Sequence, residues 1–202
     1  MTLWRGEYPL ILASQSRARQ TLLAHAGVPF EAVPAEIDER AVQQTAGLAA
    51  ADAIATCLAR AKCLSVSAYH PGRFVIGADQ TLALGTRLFN KPDGRDQARE
   101  QLRTLAGRCH ELHSAVAVTC DGQLLLEASS RARMTMRPLG DTEIDVYLAE
   151  AGAAVTSSVG AYQIEGLGIH LFEQIEGDHF TILGLPLLPL LAFLRSKGLL
   201  AV

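Results

Sequence analysis

The chain has 202 residues, 49% of them hydrophobic and 19% charged, with a formal net charge of -3. That length suits a single domain with a sizeable core. The balance excludes a disordered chain and argues against a general nucleic-acid binder, which would carry a basic excess.

In chain order, Leu10-Ile11-Leu12-Ala13 is a short apolar strand that runs into the polar Ser14-Gln15-Ser16. Ala18, Leu22, Leu23 and Ala26 then recur at helical spacing up to Gly27. Phe30 to Val33 reads as a second strand and Pro34 to Arg40 as an acidic loop. From about Thr45 to Ser67 one long helix is expected, with Ala50, Ile54, Cys57, Leu58, Ala61 and Leu64 on one stripe and Lys62 at its margin. Phe74-Val75-Ile76 is a buried strand expected to end at the small pair Gly77-Ala78, leaving Asp79 at its end; Thr81 to Leu84 starts another. Asn90 to Gly94 is turn chemistry, and Ala98, Leu102 and Leu105 mark a helix stopped by Gly107. Strands at Leu112–Thr119 and Leu124–Met136 meet at Asp121-Gly122, and Asp141–Ala149 is helical. Gly160 to Gly168 is punctuated by glycine, Ile169–Ile175 is a strand candidate, and Pro186 suits the first turn of a terminal helix that Lys197-Gly198 ends.

The longest apolar run, Ile182 to Leu194, is interrupted by Gly184, Pro186 and Pro189. It falls short of the ~20 residues that cross a bilayer, so no membrane span is expected. Met1 to Glu7 leads straight into the first strand without the pattern of a secretory leader, which makes a cytoplasmic location the expectation. Cys57, Cys63, Cys109 and Cys120 lack C-x-x-C spacing and read as free thiols.

Several segments have the chemistry of an anion-hydrolysing site. Ser14 to Arg19, between a strand and a helix, offers amides, hydroxyls and a positive helix end to a phosphate, although Ser in that position is equally a helix N-cap. Asp79, beside apolar residues, can take a proton from water or bind a metal; a carboxylate capping a turn is the plainer reading. Glu36, Asp38 and Glu39 supply hard oxygen ligands suited to magnesium, or are solvated loop charge. Lys62 and Lys91 are candidate phosphate clamps. Neither the dinucleotide nor the P-loop glycine signature occurs. Cys109-His110-x-x-His113 is a poor metal site, since alternation puts His110 on the other side of a strand, and His110 is assigned to packing or a turn.

Taken in order, Leu12-Ala13-Ser14-Gln15-Ser16-x-x-Arg19-x-x-Leu22-Leu23, Glu36-Ile37-Asp38-Glu39, Leu58-Ala59-x-x-Lys62, Gly77-Ala78-Asp79, Lys91-Pro92, Leu105-x-Gly107-x-x-His110, Gly160-Ala161-Tyr162 and Gly184-Leu185-Pro186 resemble the Maf family of nucleotide pyrophosphatases over nearly the full length. The resemblance implies a single domain over 1–202 with the α/β fold of the Maf/inosine-triphosphatase-like type, an elongated mixed sheet with flanking helices and two lobes around a cleft. It implies cleavage of a nucleoside triphosphate between the α- and β-phosphates with Mg²⁺ or Mn²⁺, and frequently a homodimer. It assigns Asp79 as proton acceptor or metal-linked carboxylate, Glu39 as metal-site acid, and Ser14, Arg19, Lys62 and Lys91 as phosphate-binding groups.

The chain departs from the family pattern at Ser16-Arg17-Ala18-Arg19, where one arginine of a usual adjacent pair is missing unless Arg17 reaches the same space, and at Ser158, where a lysine is usual. Gln80 and Glu165 replace Thr and Gln, and resemble the branch acting on 7-methyl-GTP rather than the one acting on dTTP and UTP. A carboxylate at Glu165 can accept from guanine's N–H edge but repels a pyrimidine carbonyl. The competing expectations are a nucleotide-sensing or partner-binding protein in a division-arrest role, and a monoester phosphatase, which would release orthophosphate.

Overall fold

The computed structural model describes residues 3–47 and 49–202. Leu10, Ile11 and Leu12 are apolar on both faces of the chain, as suits a strand covered on both sides, and they form strand β1 (Leu10–Leu12). Helix α1 (Arg17–His25) leads to β2 (Phe30–Ala32), which pairs parallel to β1 on one side. Helices α2 (Glu39–Ala46) and α3 (Ala51–Ser67) then carry the chain to β3 (Val75–Leu84), which pairs parallel to β1 on the other side. Leu22 and Leu23 of α1 join Leu10, Leu12, Ile76 and Ala78 in one apolar cluster. Ala55, Ala59 and Cys63 of α3 join Ile11, Ala13 and Val75 in another. The two helices therefore cover opposite faces: the connection from β1 to β2 runs one way across the sheet, and the connection from β2 to β3 crosses back past β1. Ligands in open α/β sheets bind outside the carboxyl ends of the strands at such a reversal.

The remaining elements are β4 (Arg87–Phe89), α4 (Arg95–Leu105), β5 (Cys109–Cys120), β6 (Gln123–Met136), α5 (Asp141–Ala151), β7 (Phe172–Glu176), α6 (His179–Ile182) and α7 (Leu187–Ser196). The strands form a seven-stranded mixed sheet in the order β2-β1-β3-β5-β6-β7, with β4 antiparallel to β3 and β7 antiparallel to β6. Two compact units emerge. The first comprises residues 1–80, 113–131 and 178–202; the second comprises 81–112 and 132–177. In the second unit, α4 and α5 are tied by the paired bonds Arg99–Asp145 and Arg103–Asp141.

Four expectations need correction. The single helix expected over 45–67 is two, because Gly47 adopts a left-handed conformation (φ 62°) that ends α2. The acidic loop closes early: Asp38 caps α2, its carboxylate accepting from the Ala41 amide at 3.0 Å, and Glu39 is the first helical residue. The strand expected at Ile169–Ile175 begins instead at Phe172, after a 3₁₀ turn over Leu167–Leu171. Asp79 does not end a strand, since β3 runs unbroken for ten residues with Asp79 at its middle.

The reason for Gly77 is packing rather than chain termination. A Cβ there would lie 2.0 Å from the Ala59 carbonyl oxygen and 2.7 Å from the Cys63 amide nitrogen, so glycine lets α3 press directly on β3. Gly77→Ala must separate helix from sheet, and a loss of about 3 kcal/mol is expected in urea unfolding. A wild-type midpoint would show that α3 gives way freely.

Candidate active site

Strand alternation divides the residues around Asp79. Val75, Gly77 and Asp79 point toward α3; Ile76, Ala78 and Gln80 point toward α1 and α7. On the α3 side, Lys62 lies one helical turn beyond Ala59, near Gly77, and its Nζ donates to Asp79 Oδ1 at 2.6 Å. The same ammonium is 2.7 Å from Glu39 Oε1. The side chains of Lys62 and Asp79 are only 12% and 10% exposed, whereas Glu39 is 54% exposed. One cation thus joins a buried and an open carboxylate.

Burial raises the pKa of Asp79 above the ordinary aspartate value. The positive charges of Lys62 and Arg19 oppose that rise, and Glu39 adds to it. Such a carboxylate is a stronger base than a solvated one.

Arg19 reaches the same place from the first turn of α1. Its Nε donates to the Gly184 carbonyl at 2.8 Å, and its Nη1 donates to the Ala78 carbonyl at 2.8 Å and to Ser14 Oγ at 3.2 Å. Nη2 is the guanidinium nitrogen these bonds leave unengaged. Burial lowers the pKa of Arg19, while Asp79 and Glu39 counter that effect. Ser14 follows β1 and is buried. Its oxygen accepts from Arg19 and from the Ser16 amide at 3.2 Å, which fills both lone pairs and leaves the hydroxyl hydrogen to donate. Ser16 is the N-cap of α1, accepting from the Arg19 amide. Arg17 is exposed.

Gln80 faces the opposite side of the sheet from Asp79. Its Nε2 lies 2.9 Å from Ser114 Oγ and 3.0 Å from each of the Thr181 and Ile182 carbonyl oxygens. Lys91 and Glu165 belong to the second unit, and both are exposed. Lys91 follows β4 in a turn whose Asn90 carbonyl accepts from Gln101 Nε2 at 2.9 Å; Gln101 Oε1 in turn accepts from the Gly160 amide at 3.1 Å. Ser14, Arg19, Glu39, Lys62 and Asp79 are therefore gathered in the first unit, Gln80 faces away from Asp79 and Lys62, and Lys91 and Glu165 stand elsewhere in the chain.

The sequence reading missed Gln101, Ser114 and Thr181, all buried polar residues. Gln101 carried a signal: it lies three residues from Ala98 and four before Leu105, inside the apolar stripe of its helix, where a polar side chain needs internal partners.

His110 and Tyr162, from two of the motifs quoted above, meet in the interior of the second unit, with His110 Nε2 2.7 Å from the Tyr162 hydroxyl. Nδ1 is buried with no hydrogen-bond partner among the described residues. Burial lowers the His110 pKa to about 4. The neutral ring is favoured in the folded state, so its contribution to stability is present above the unfolded value near 6.5 and is lost as the pH falls toward 4. Wild type is expected to lose about 2.5 kcal/mol more than His110→Gln between pH 7.5 and 4.5, measured by urea unfolding. Equal losses would place His110 in contact with water.

Two carboxylates that converge on one ammonium present the hard oxygen donors that Mg²⁺ and Mn²⁺ prefer. No group of three His, Cys, Asp or Glu residues suited to a metal ion occurs among the described residues. The donor set therefore fits an ion completed by substrate phosphates and water rather than one caged by protein. No described helix is long and apolar enough to cross a membrane, and the four cysteines are free thiols.

A family model described as "Maf-like protein" matches residues 9–197. A protein of Rhodopseudomonas palustris (strain ATCC BAA-98 / CGA009) named nucleoside triphosphate pyrophosphatase is 65% identical over the whole of both chains. A Bradyrhizobium diazoefficiens protein of the same name is 66% identical, again over both full lengths. A Rhizobium meliloti protein named 7-methyl-GTP pyrophosphatase is 51% identical over 94% of this chain and 96% of its own. With a family match spanning nearly the whole chain and relatives this similar along their full lengths, the chain belongs to the Maf family.

Proposed function

We propose that the chain hydrolyses nucleoside triphosphates to the monophosphate and pyrophosphate. The observation that carries this reading is the Lys62 ammonium held 2.6 Å from buried Asp79 and 2.7 Å from Glu39, with Arg19 and Ser14 alongside. The names of the relatives support it. In the reaction, Asp79 accepts a proton from water as the water oxygen bonds to phosphorus; the bridging P–O bond breaks and pyrophosphate departs with the electron pair. Ser14 donates its hydroxyl to a phosphate oxygen. Arg19 and Lys62 neutralise charge that grows on the leaving group, as pre-positioned cations do in phosphoryl transfer. The family pattern supports Lys91 as a further phosphate-binding group.

Asp79 and Glu39 would hold a divalent ion, Mg²⁺ or Mn²⁺, which supplies further charge neutralisation on the phosphates. Lys62 must then share its carboxylates, which frees its ammonium for the phosphate chain. Glu165 contributes to substrate choice as acceptor for a guanine edge. The Rhizobium meliloti relative supports 7-methyl-GTP as the substrate class. A homodimer acting as one domain over residues 1–202 in the cytoplasm, where thiols stay reduced, completes the reading.

Product analysis tests it. With Mg²⁺ and a panel of 7-methyl-GTP, GTP, dTTP, UTP and CTP, pyrophosphate should appear with the monophosphate, fastest for 7-methyl-GTP. Orthophosphate as the product would replace the reading with a phosphatase, and binding without turnover would replace it with a sensor.

A further inference from the structure

Gln80 stands beside Asp79 in sequence, yet its amide is committed to main-chain groups on the other face of the sheet. Its orientation there is fixed by its partners. The Ser114 hydroxyl gives its hydrogen to the Thr181 carbonyl at 2.7 Å, so Ser114 Oγ must accept from Gln80, and two carbonyl oxygens cannot face the amide oxygen. The NH₂ group therefore faces all three acceptors, with its two hydrogens shared among them.

The segment it grips continues directly to Arg19. The Thr181 carbonyl also accepts from the Gly184 amide at 3.1 Å, closing a tight turn, and the Gly184 carbonyl receives Arg19 Nε at 2.8 Å. Gly184 has φ +87°, and a Cβ there would be 3.4 Å from Arg19 Nε and Nη2 and 3.7 Å from Gln80 Cβ. The turn is thus in contact with both side chains at once. Asp178 holds its other end, accepting from the Thr181 amide at 2.9 Å and from the Thr181 hydroxyl.

We propose that Gln80 is a positioning residue: by tethering the Thr181–Ile182 carbonyls it sets the Gly184 carbonyl that aims the Arg19 guanidinium, and so tunes grip on the triphosphate rather than reading the base. The inference rests on Arg19 as a phosphate-binding group. A threonine at this position is too short to carry a donor to both carbonyls, so the Gln/Thr difference acts through the phosphate clamp. Base choice is left to residues that touch the base.

The test uses the full chain with Mg²⁺ and compares wild type, Gln80→Met, Gln80→Asn and Arg19→Ala, and each Gln80 variant combined with Arg19→Ala. Pyrophosphate release is followed on the nucleotide panel, and inhibition by inorganic tripolyphosphate, which has no base, is measured alongside. Thermal melts identify which of the two Gln80 variants remains folded at the assay temperature; Asn keeps a shortened donor if Met does not. Loss of the tether should lower kcat/KM about tenfold by the same factor for every base, as expected for hydrogen bonds of ordinary strength. Tripolyphosphate should weaken by that factor, and the effect should shrink below about twofold in the Arg19→Ala background. A loss confined to one base with tripolyphosphate unaffected, or a full loss that simply adds to Arg19→Ala, overturns the proposal. Wild-type turnover by Arg19→Ala also overturns it, and locates the failure in the phosphate role of Arg19 rather than in the tether.

Discussion

Asp79→Asn is expected to lower pyrophosphate release by about 10²–10⁴-fold, the range a general base supplies, while the chain keeps its fold and melts at or above the wild-type temperature. Asn has the same shape and can still accept from Lys62, so packing in β3 is preserved. What it removes is charge. Because burial raises the folded pKa of Asp79, the folded protein binds that proton more tightly than the unfolded chain does. Stability from this group is present at low pH, below the unfolded value, and is lost as the pH rises through the folded one. At neutral pH the ionised carboxylate is therefore a cost to folding that the neutral amide avoids, while Lys62 retains Glu39 as an ion partner. Loss of turnover together with retained or higher stability is the pattern of a residue kept for chemistry. A steady-state assay and a thermal melt of the same preparation decide it; near-wild-type turnover would move the base elsewhere.

The first unit was legible as far as local patterns reach. Leu10–Leu12 running into Ser14-Gln15-Ser16 and an amphipathic segment identified the strand, the polar turn and the helix that carry Ser14 and Arg19. Periodicity could not show that Arg19 is spent largely on carbonyls of Ala78 and Gly184, contacts spanning 59 and 165 residues of chain. Reading Gly77-Ala78 as the end of a strand had a second consequence. Once β3 is cut there, alternation no longer applies to its next two residues, and Gln80 looks like a neighbour of Asp79 in space as well as in sequence. With β3 continuous, alternation places Asp79 with Val75 and Gly77, and Gln80 with Ile76 and Ala78. The glycine that misled the pattern is explained by the backbone of α3 pressing on it, a tertiary fact with no local signature. The break between α2 and α3 was hidden for a related reason: alanine-rich sequence on both sides favours helix, and one left-handed glycine overrides it.

Lys62→Met should be nearly as damaging as Asp79→Asn to turnover, with the opposite consequence for stability. Methionine preserves the length of the stem within α3 but removes the ammonium, so about 10²–10³-fold in kcat is expected to go with the lost charge on the leaving group. Lys62 is also the largest of the influences that lower the Asp79 pKa against the effect of burial. Without it the carboxylate is protonated at higher pH, and the acid limb of the pH–rate profile moves upward, since the active form is the ionised base. At neutral pH the variant keeps a buried carboxylate with one cation fewer, the arrangement that costs most when a buried pair is broken from one side, and unfolding should come at lower urea. Asp79→Asn and Lys62→Met thus pull stability in opposite directions while both lower turnover by orders of magnitude. In the double variant no buried carboxylate is left without its lysine, and stability should recover toward that of Asp79→Asn, with no further loss of turnover beyond the more severe single change. An acid limb that stays in place in Lys62→Met would mean that Asp79 does not titrate in the catalytic step, whatever its contribution to binding.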